Sequence, residues 1–145
     1  MVFCLSRFFA SAMLFKRNRF LEGVVFIAWE REKDSGPFRH FIPVILNLLL
    51  SNTNPKHIQD EIEKKYLFPT LVDGAIYSFN TRCRKPDRQI YECLLESSKA
   101  DPEECVFIDD LIENVHAAQS IGIKGIHFKD EDNLIIDLHR IGIRI

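Results

Sequence analysis

Short apolar runs alternate with polar loops and amphipathic segments from residue 44 onward. The runs have the length and composition of buried parallel strands, and they lie at residues 44–50, 75–79, 106–108 and 125–128. Each is followed by a polar loop and then by apolar residues at the spacing of one helix face. This β-α-β-α-β-α-β-α order predicts an α/β fold, in which a parallel sheet with right-handed crossovers carries helices on both faces.

Proline and glycine mark the ends of the predicted helices. Pro55 stands at the first position of a helix that we expect to run to about Tyr66, and Pro86 begins the next one. Gly122 and Gly142 end the last two helices, since glycine readily adopts the left-handed conformation that closes a helix. Each of the four apolar runs is therefore paired with a helix.

The first 43 residues have no clean period. Phe-rich patches alternate there with clusters of Lys and Arg, and residues 23–29 are the one run that has the character of a buried strand. We therefore divide the chain into a poorly defined N-terminal segment, residues 1–43 with a possible strand at 23–29, and an α/β core at residues 44–145.

The composition fits one soluble globular domain. Of the 145 residues, 46% are hydrophobic and 28% are charged, and the formal net charge is −2, so nothing indicates a nucleic-acid-binding protein. No apolar stretch is long enough to span a membrane, and the four cysteines lack a metal-binding or disulfide spacing. We expect a cytoplasmic protein with reduced thiols; a targeting segment in the apolar, basic N-terminus is the alternative. The sequence carries no signal for the oligomeric state.

Two adjacent carboxylates, Asp109 and Asp110, follow the apolar run at residues 106–108. They fall at the carboxyl end of a predicted strand, which is where open α/β sheets bind ligands. Neighbouring carboxylates repel each other, which raises one pKa unless a cation compensates. Mg²⁺ is commonly held by one or two carboxylates together with substrate phosphate oxygens. The pair therefore predicts an Mg²⁺ site, and the alternative is that one Asp merely caps the next helix.

Two further polar sites follow the two earlier strands of the core. The loop from Ser51 to Asn54 leads into a helix N-terminus, which suits a phosphate, and Ser51 or Thr53 offers a hydroxyl donor. Lys85 stands just before another helix N-terminus, where a cation is misplaced unless an anion lies nearby. The plainer alternatives are ordinary capping for the loop and a solvated surface side chain for the lysine.

The three polar sites are expected to converge. The carboxyl ends of parallel strands lie at one edge of the sheet, so a hydroxyl from Ser51, the ammonium of Lys85 and the carboxylates of Asp109 and Asp110 come together there. Each signal is weak alone, whereas the ordered set of three is specific.

These segments resemble the motifs of the haloacid dehalogenase-like (HAD) hydrolase superfamily. Residues 49–54 look like its second motif, residues 84–87 like its third and residues 106–122 like its fourth. The residues of these motifs are most similar to those of the subfamily of alpha-D-glucose-1-phosphate phosphatase-like enzymes, which carry a helical cap. The resemblance implies a Rossmann-like (HAD-like) parallel sheet over residues 44–145, and Mg²⁺-dependent phosphatase ancestry with a small phosphorylated metabolite as substrate.

The same resemblance implies a role for each polar residue. The expected phosphate-binding group consists of Ser51, Asn52, Thr53 and Lys85. Within it, Ser51 would bind the transferring phosphoryl group and Lys85 would neutralise both the phosphate and the nucleophile, so these two are the expected catalytic residues. Asp109 and Asp110 would hold Mg²⁺, and Asn114 would support them.

The family's first motif is missing from the sequence. That motif is a strand ending in D-x-D, whose first Asp is the nucleophile and whose second is the general acid/base. No D-x-D precedes Ser51, and there is no room for the helical cap between the first and second motifs. Because the family reacts through a covalent aspartyl-phosphate, we expect a chain that is inactive or truncated, with a fold incomplete at the N-terminus and no full cap domain.

Two alternatives come from other functional classes. One is a non-catalytic pseudoenzyme that keeps the fold and its affinity for anions. The other is a receiver-like phosphoacceptor domain, which also combines a carboxylate pair, a hydroxyl and a lysine on a parallel sheet. In receivers the acidic pair comes first and the lysine last, whereas here the pair follows Lys85. The order therefore favours the hydrolase.

Some segment must replace the first-motif strand, which in the family lies between the strands ending at Ser51 and at Asp110. An open gap would leave unpaired backbone groups that cost about 1 to 3 kcal/mol each when buried. Residues 23–29 are the only upstream candidate, and in that arrangement Glu30 and Glu32 would take the place of D-x-D. Their extra methylene displaces the carboxylate by more than the roughly 0.5 Å that a catalytic site tolerates, so we expect no useful catalysis by Glu30.

Overall fold

The described residues form five strands, which make one mixed sheet. The structure is a computed structural model, and it describes residues 24–33, 40–57 and 72–143. The strands are β1 (Val24–Lys33), β2 (His40–Ser51), β3 (Gly74–Tyr77), β4 (Cys105–Asp109) and β5 (Lys124–His127). Their order across the sheet is β3-β2-β1-β4-β5. β1 therefore belongs to the same sheet as the strands of the 44–145 core.

The helices follow the strands in the predicted order. They are α1 (Pro55–His57), α2 (Ser78–Thr81), α3 (Arg88–Ser98), α4 (Ile112–Gln119) and α5 (Glu131–Arg140), with a 3₁₀ turn at Pro102–Glu104. The remainder of the helix predicted to run to about Tyr66 lies outside the described residues. Gly122 and Gly142 both have positive φ, 94° and 88°, as expected for residues that close a helix.

One predicted strand is shorter than expected. The apolar run at 75–79 predicted a strand through Phe79, but β3 ends at Tyr77 and α2 begins at Ser78. The Ser78 hydroxyl accepts a hydrogen bond from the Thr53 backbone N–H and donates one to the Thr53 carbonyl, both at 3.1 Å. These two bonds hold Ser78 against the loop after β2, at the position where the chain leaves β3 and enters α2.

The four core strands run in one direction. β2 pairs with β3 in parallel and β4 pairs with β5 in parallel, while β1 is antiparallel to both β2 and β4. β2 and β4 therefore point the same way, with the reversed strand between them. The predicted parallel arrangement of the core strands is confirmed, and their carboxyl ends share one edge of the sheet.

β1 fills the predicted gap in the reverse direction. Val24 lies opposite Leu49 on β2 and Ile108 on β4, whereas Glu30 lies opposite Pro43. The expectation that Glu30 and Glu32 would take the place of D-x-D is therefore wrong. The physical reason is the length of the connection: residues 34–39 alone join β1 to β2, and parallel neighbours need a crossover of about a dozen or more residues.

Two apolar clusters cover the opposite faces of β4. Cys105 and Phe107 pack on one face with residues of α3 and α4, which include Ile90, Tyr91, Leu94 and Ala118. On the other face the cluster contains Val106, Ile108, Ile126, Leu134 and Leu138, the last two from α5. The alternation of side chains along a strand produces this division, so β4 carries helices on both faces as predicted.

Gly125 on β5 allows α4 to approach the sheet closely. A Cβ at this position would lie 2.7 Å from Val115 Cγ1, 2.9 Å from Gln119 Cγ and 3.1 Å from the Val115 carbonyl oxygen. The first two contacts are shorter than carbon atoms tolerate, and the third is to rigid backbone. A residue larger than glycine would therefore push α4 away from β5.

Candidate active site

Asp109 is the centre of a buried polar network. It ends β4, and its side chain is fully buried. Its Oδ1 accepts hydrogen bonds from the Leu111 backbone N–H at 2.9 Å and from Asn114 Nδ2 at 3.0 Å, and its Oδ2 accepts one from Lys85 Nζ at 2.8 Å. Three of about four acceptor positions of the carboxylate are thus occupied by the protein, which fixes its orientation.

Lys85 is the charge partner of Asp109. The chain delivers it from the loop between α2 and α3, and its side chain is 1% exposed beside the fully buried Asp109. The ammonium also lies 5.7 Å from the centroid of the Phe107 ring, within the range of a cation–π interaction. A buried lysine without a partner would lose its proton or destabilise the fold, so the pair forms a neutral unit within the core.

Asn52 connects the first loop to Lys85. The Lys85 backbone N–H donates to Asn52 Oδ1 at 2.7 Å, and Asn52 Nδ2 donates to the Lys85 carbonyl at 2.8 Å. This reciprocal pair holds the loop after β2 against the loop before α3. The bond between Thr53 and Ser78 holds the loop after β2 against the start of α2 as well.

Ser51 and Thr53 lie at the same edge as the acidic residues. Ser51 is the last residue of β2 and is buried; β1 separates its strand from β4, which places the two strands about 10 Å apart. The Thr53 hydroxyl oxygen is buried and has no hydrogen-bond partner among the described residues. Buried hydroxyl groups nearly always have a hydrogen-bond partner, and a ligand oxygen at this position would be one.

Asp110 differs from its neighbour. It follows the last residue of β4, and its side chain is exposed. Partial desolvation, followed by the charge of Asp109, raises the pKa of the Asp110 carboxyl above its ordinary value. The effect that was expected of two adjacent carboxylates therefore falls on Asp110.

Asn114 is held in turn by Tyr91, which the sequence analysis did not single out. The Tyr91 hydroxyl donates to the Asn114 carbonyl at 2.9 Å, and the Tyr91 ring packs edge-on against Phe107 at 5.3 Å. Burial, with Asp109 and Asp87 nearby, raises the Tyr91 pKa, so the residue stays a neutral donor. The apolar stripe of α3 placed Tyr91 in the core, but it gave no sign of this contact.

A cavity of about 380 Å³ opens beside the Asn52 connection. The loop at 52–54 forms one side of it, and Ser78, Phe79 and residues 82–84 form the other. Arg82 and Arg84 both line it, and no acidic residue does. The sequence analysis missed this cavity, although the Arg82-x-Arg84 spacing was a visible signal of local positive charge.

The structure thus brings together most of the predicted site. Lys85, Asp109 and Asn114 are in direct contact, and Asn52 holds the Lys85 backbone. Thr53 lines the neighbouring cavity.

A protein-family model for haloacid dehalogenase-like hydrolases matches residues 48–122, more than half of the chain. The chain belongs to the haloacid dehalogenase-like hydrolase family. The match includes Ser51, Lys85 and Asp109, and it confirms the superfamily that the motifs indicated. The alpha-D-glucose-1-phosphate phosphatase-like subfamily stays a prediction.

Two curated relatives of this HAD chain are named as a phosphatase and as a hydrolase of flavin mononucleotide. A sesquiterpene phosphatase of Aspergillus oryzae is 37% identical over 71 residues, which are 49% of this chain and 36% of that protein. Flavin mononucleotide hydrolase 1 of Arabidopsis thaliana is 39% identical over 84 residues, 58% of this chain and 34% of that protein. The chain spans about a third of the length of these two relatives.

Solved structures confirm the HAD fold. A HAD family enzyme from Bacteroides thetaiotaomicron is 27% identical, with a TM-score of 0.53 over 60% of this chain and 47% of that one. An uncharacterized protein from Corynebacterium glutamicum is 20% identical, with a TM-score of 0.55 over 68% of this chain and 72% of that one, and it supports the fold alone. The Bacteroides enzyme has also been solved with magnesium and inorganic phosphate.

Asp109 and Asp110 are the two residues that the sequence analysis expected to hold magnesium. Within 24–33, 40–57 and 72–143, no group of three or more His, Cys, Asp and Glu side chains is arranged to hold a metal ion. Asp109 has most of its acceptor positions filled by hydrogen bonds, whereas Asp110 presents an exposed carboxylate with a raised pKa. Oxygen donors of this kind suit Mg²⁺, which tolerates a small protein ligand set completed by water and phosphate.

None of the helices in the described ranges combines the length and the apolar character that crossing a bilayer requires.

Proposed function

We propose that this HAD chain binds phosphate monoesters of small metabolites at the carboxyl edge of its sheet but does not hydrolyse them through an aspartyl-phosphate. The phosphatase and hydrolase named among its relatives support phosphate monoesters as the ligand class. The polar groups of the second, third and fourth motifs are present and lie at one edge. What distinguishes the chain is the strand at the centre of that edge.

The direction of β1 is the observation that carries the proposal. In the mechanism that the family resemblance implies, the central strand ends in the nucleophilic carboxylate beside Lys85. Here β1 begins at that edge with Val24, and its two carboxylic residues, Glu30 and Glu32, lie towards its other end. Glu30 is six residues from Val24, which is about 20 Å along an extended strand. No carboxylate of β1 therefore reaches the phosphoryl site.

The surviving groups support binding. The Thr53 hydroxyl has no partner among the described residues, and it lies on the loop that Asn52 ties to Lys85. Ser51 precedes it at the end of β2. These hydroxyls would donate to phosphate oxygens, and Lys85 would contribute positive potential that Asp109 largely offsets. We therefore expect weak binding that depends on the loop after β2.

A magnesium ion would be held by Asp110, with Asp109 as a weaker second oxygen donor. When bound, it would neutralise charge on the phosphoryl oxygens. Asp109 keeps Lys85 in place in either case, because its hydrogen bonds to Leu111 and Asn114 are independent of the ligand.

The test is a phosphatase assay combined with a binding measurement. With p-nitrophenyl phosphate and Mg²⁺, we expect no turnover above buffer from the whole chain. In ³¹P NMR titrations, we expect the inorganic phosphate resonance to broaden in the presence of the protein. The broadening should be lost in Ser51→Ala and kept in Ser97→Ala, a matched change on the exposed side of α3.

Two results would overturn the proposal. Turnover that disappears in Glu30→Gln would mean that β1 delivers a nucleophile after all, contrary to its direction in the sheet. Equal phosphate broadening in the parent, Ser51→Ala and Ser97→Ala would mean that the loop after β2 does not bind phosphate.

A further inference from the structure

The cavity beside the Asn52 connection is built on fixed loops. Asn52 and Lys85 exchange two hydrogen bonds at 2.7 and 2.8 Å, and Ser78 bonds both the N–H and the carbonyl of Thr53. These four bonds join the two walls of the cavity. The backbone on both sides of the cavity is therefore held in place by the fold, and the side chains of Arg82 and Arg84 line it from exposed positions.

The cavity carries a concentrated positive charge. Arg82 and Arg84 line it, two residues apart, and all of its other lining residues are uncharged. Neither guanidinium forms an ion pair with a residue in the described part of the chain. Arg88 is different, because its guanidinium bonds to Glu92 at 2.6 Å. Within the described ranges no acidic partner occupies the donors of these two arginines, and a planar guanidinium is well suited to paired hydrogen bonds with a carboxylate or phosphate.

The cavity is continuous with the proposed phosphate site. Asn52 and Thr53 belong to both: they line the cavity, and they lie on the loop that follows Ser51. A small molecule whose phosphate occupies the edge of the sheet would therefore extend into the cavity past these residues. Phe79 offers an apolar contact there, with its ring stacked on Tyr77 at 5.3 Å.

We propose that this cavity, the Arg82–Arg84 pocket, binds a second anionic group, so that the ligands of this chain are small phosphate monoesters that also carry a carboxylate or another phosphate. The proposal rests on the proposed function for the first phosphate, and it adds the chemical class of the remainder of the molecule. Lys85 cannot take this role, because Asp109 already offsets its charge.

The test compares ligands that differ in one charge. Isothermal titration calorimetry with the whole chain would use glycerol 1-phosphate against 3-phosphoglycerate, and sorbitol 6-phosphate against 6-phosphogluconate. The two pairs differ in length, so they sample two separations between the phosphate and the carboxylate. In one pair or both, we expect the carboxylate to increase affinity about tenfold, the low end of a charge-assisted hydrogen bond in free energy.

Two variants and a control assign the effect. Arg82→Gly and Arg84→Gln should each reduce the carboxylate preference to about twofold or less, while binding of the matched monoester is unchanged. Arg82→Gly is expected to fold, because Arg82 has φ of 58°, a conformation that glycine adopts more readily. Arg88→Gln, outside the cavity, should keep the full preference.

The outcomes separate this proposal from the previous one. Monoester binding without any carboxylate preference would overturn the pocket and leave the proposed function standing. A preference that persists in Arg82→Gly and Arg84→Gln would also overturn it. Arginine-dependent binding of the carboxylates alone, with no dependence on Ser51, would support the pocket and overturn the proposed phosphate site.

Discussion

Asp109 and Asp110 are adjacent in sequence, but their environments differ, because Asp109 is the last residue of β4 and Asp110 follows the strand. Asp109 is fully buried and accepts three hydrogen bonds, one of them from Lys85. Asp110 is exposed, and desolvation together with the charge of Asp109 raises its pKa. Two acidic residues that look equivalent in the sequence are therefore a buried structural anchor and an exposed carboxylate.

The difference follows from where β4 ends. Asp109 is the last residue of the strand, and its side chain meets Asn114 and Lys85 in the core. Asp110 is the first residue beyond the strand, and its carboxylate is exposed to solvent.

The largest expected effect is on stability. Asp109→Asn leaves the Lys85 ammonium buried without a counter-charge, and breaking a buried ion pair in this way costs about 3 to 5 kcal/mol. Asp110→Asn, the same chemical change one residue away, should alter the free energy of unfolding by about 0.5 kcal/mol or less. Urea denaturation followed by circular dichroism measures both. Equal losses in the two variants would contradict the distinction between the buried and the exposed carboxylate.

Magnesium binding should show the opposite dependence. We expect weak binding of Mg²⁺, in the millimolar range that corresponds to about 4 kcal/mol, and we expect Asp110→Asn to abolish it. Glu113→Gln, an exposed neighbour on α4, is the matched control and should leave it intact. Calorimetric titration decides: a parent and an Asp110→Asn variant with the same affinity would remove Asp110 from the site.

The smallest effect is on the pH dependence of stability. Because the folded pKa of Asp110 is raised, the folded chain holds this proton more tightly than the unfolded chain. Stability therefore falls as the pH rises from below the unfolded pKa of Asp through the raised folded value. Relative to Asp110→Asn, the parent should be more stable at pH 3 than at pH 7 by about 0.5 kcal/mol or less, since solvent screens an exposed group.

Asp130 provides a control of opposite sign. It caps α5 and accepts hydrogen bonds from the Asn133 backbone and side chain, which lower its pKa. Its contribution is present at neutral pH and is lost as the pH falls through the lowered value. The difference in free energy of unfolding between the parent and Asp130→Asn should therefore change with pH in the opposite sense to the difference measured for Asp110→Asn. Deviations of the same sign for Asp110→Asn and Asp130→Asn would contradict the assignment.

The sequence predicted the features that depend on local pattern. The apolar run before Asp109, the common direction of the core strands and the meeting of Lys85 with Asp109 all follow from strand periodicity and the right-handed crossover rule. These features need no knowledge of side-chain packing, because the carboxyl ends of parallel strands share one edge whatever covers the sheet.

The direction of β1 could not be obtained from its apolar pattern. A strand has the same alternation when it is traversed from either end, so residues 23–29 indicated a strand without a direction. The short connection at 34–39 carried the missing information. The contacts of Asn52 and Tyr91 were also out of reach, because they depend on distances between loops and helices that are remote in sequence.

The fit of the acidic site depends on a residue that carries no functional group. Gly125 lets Val115 settle against β5, and Val115 is the neighbour of Asn114, whose amide steadies Asp109. A side chain at position 125 would displace α4 outward and move Asn114 with it. The hydrogen bond from Asn114 to Asp109 would then weaken, and Asp109 would hold Lys85 less firmly. A mutational scan restricted to polar residues would miss this dependence, because it arises from the absence of a Cβ atom at Gly125.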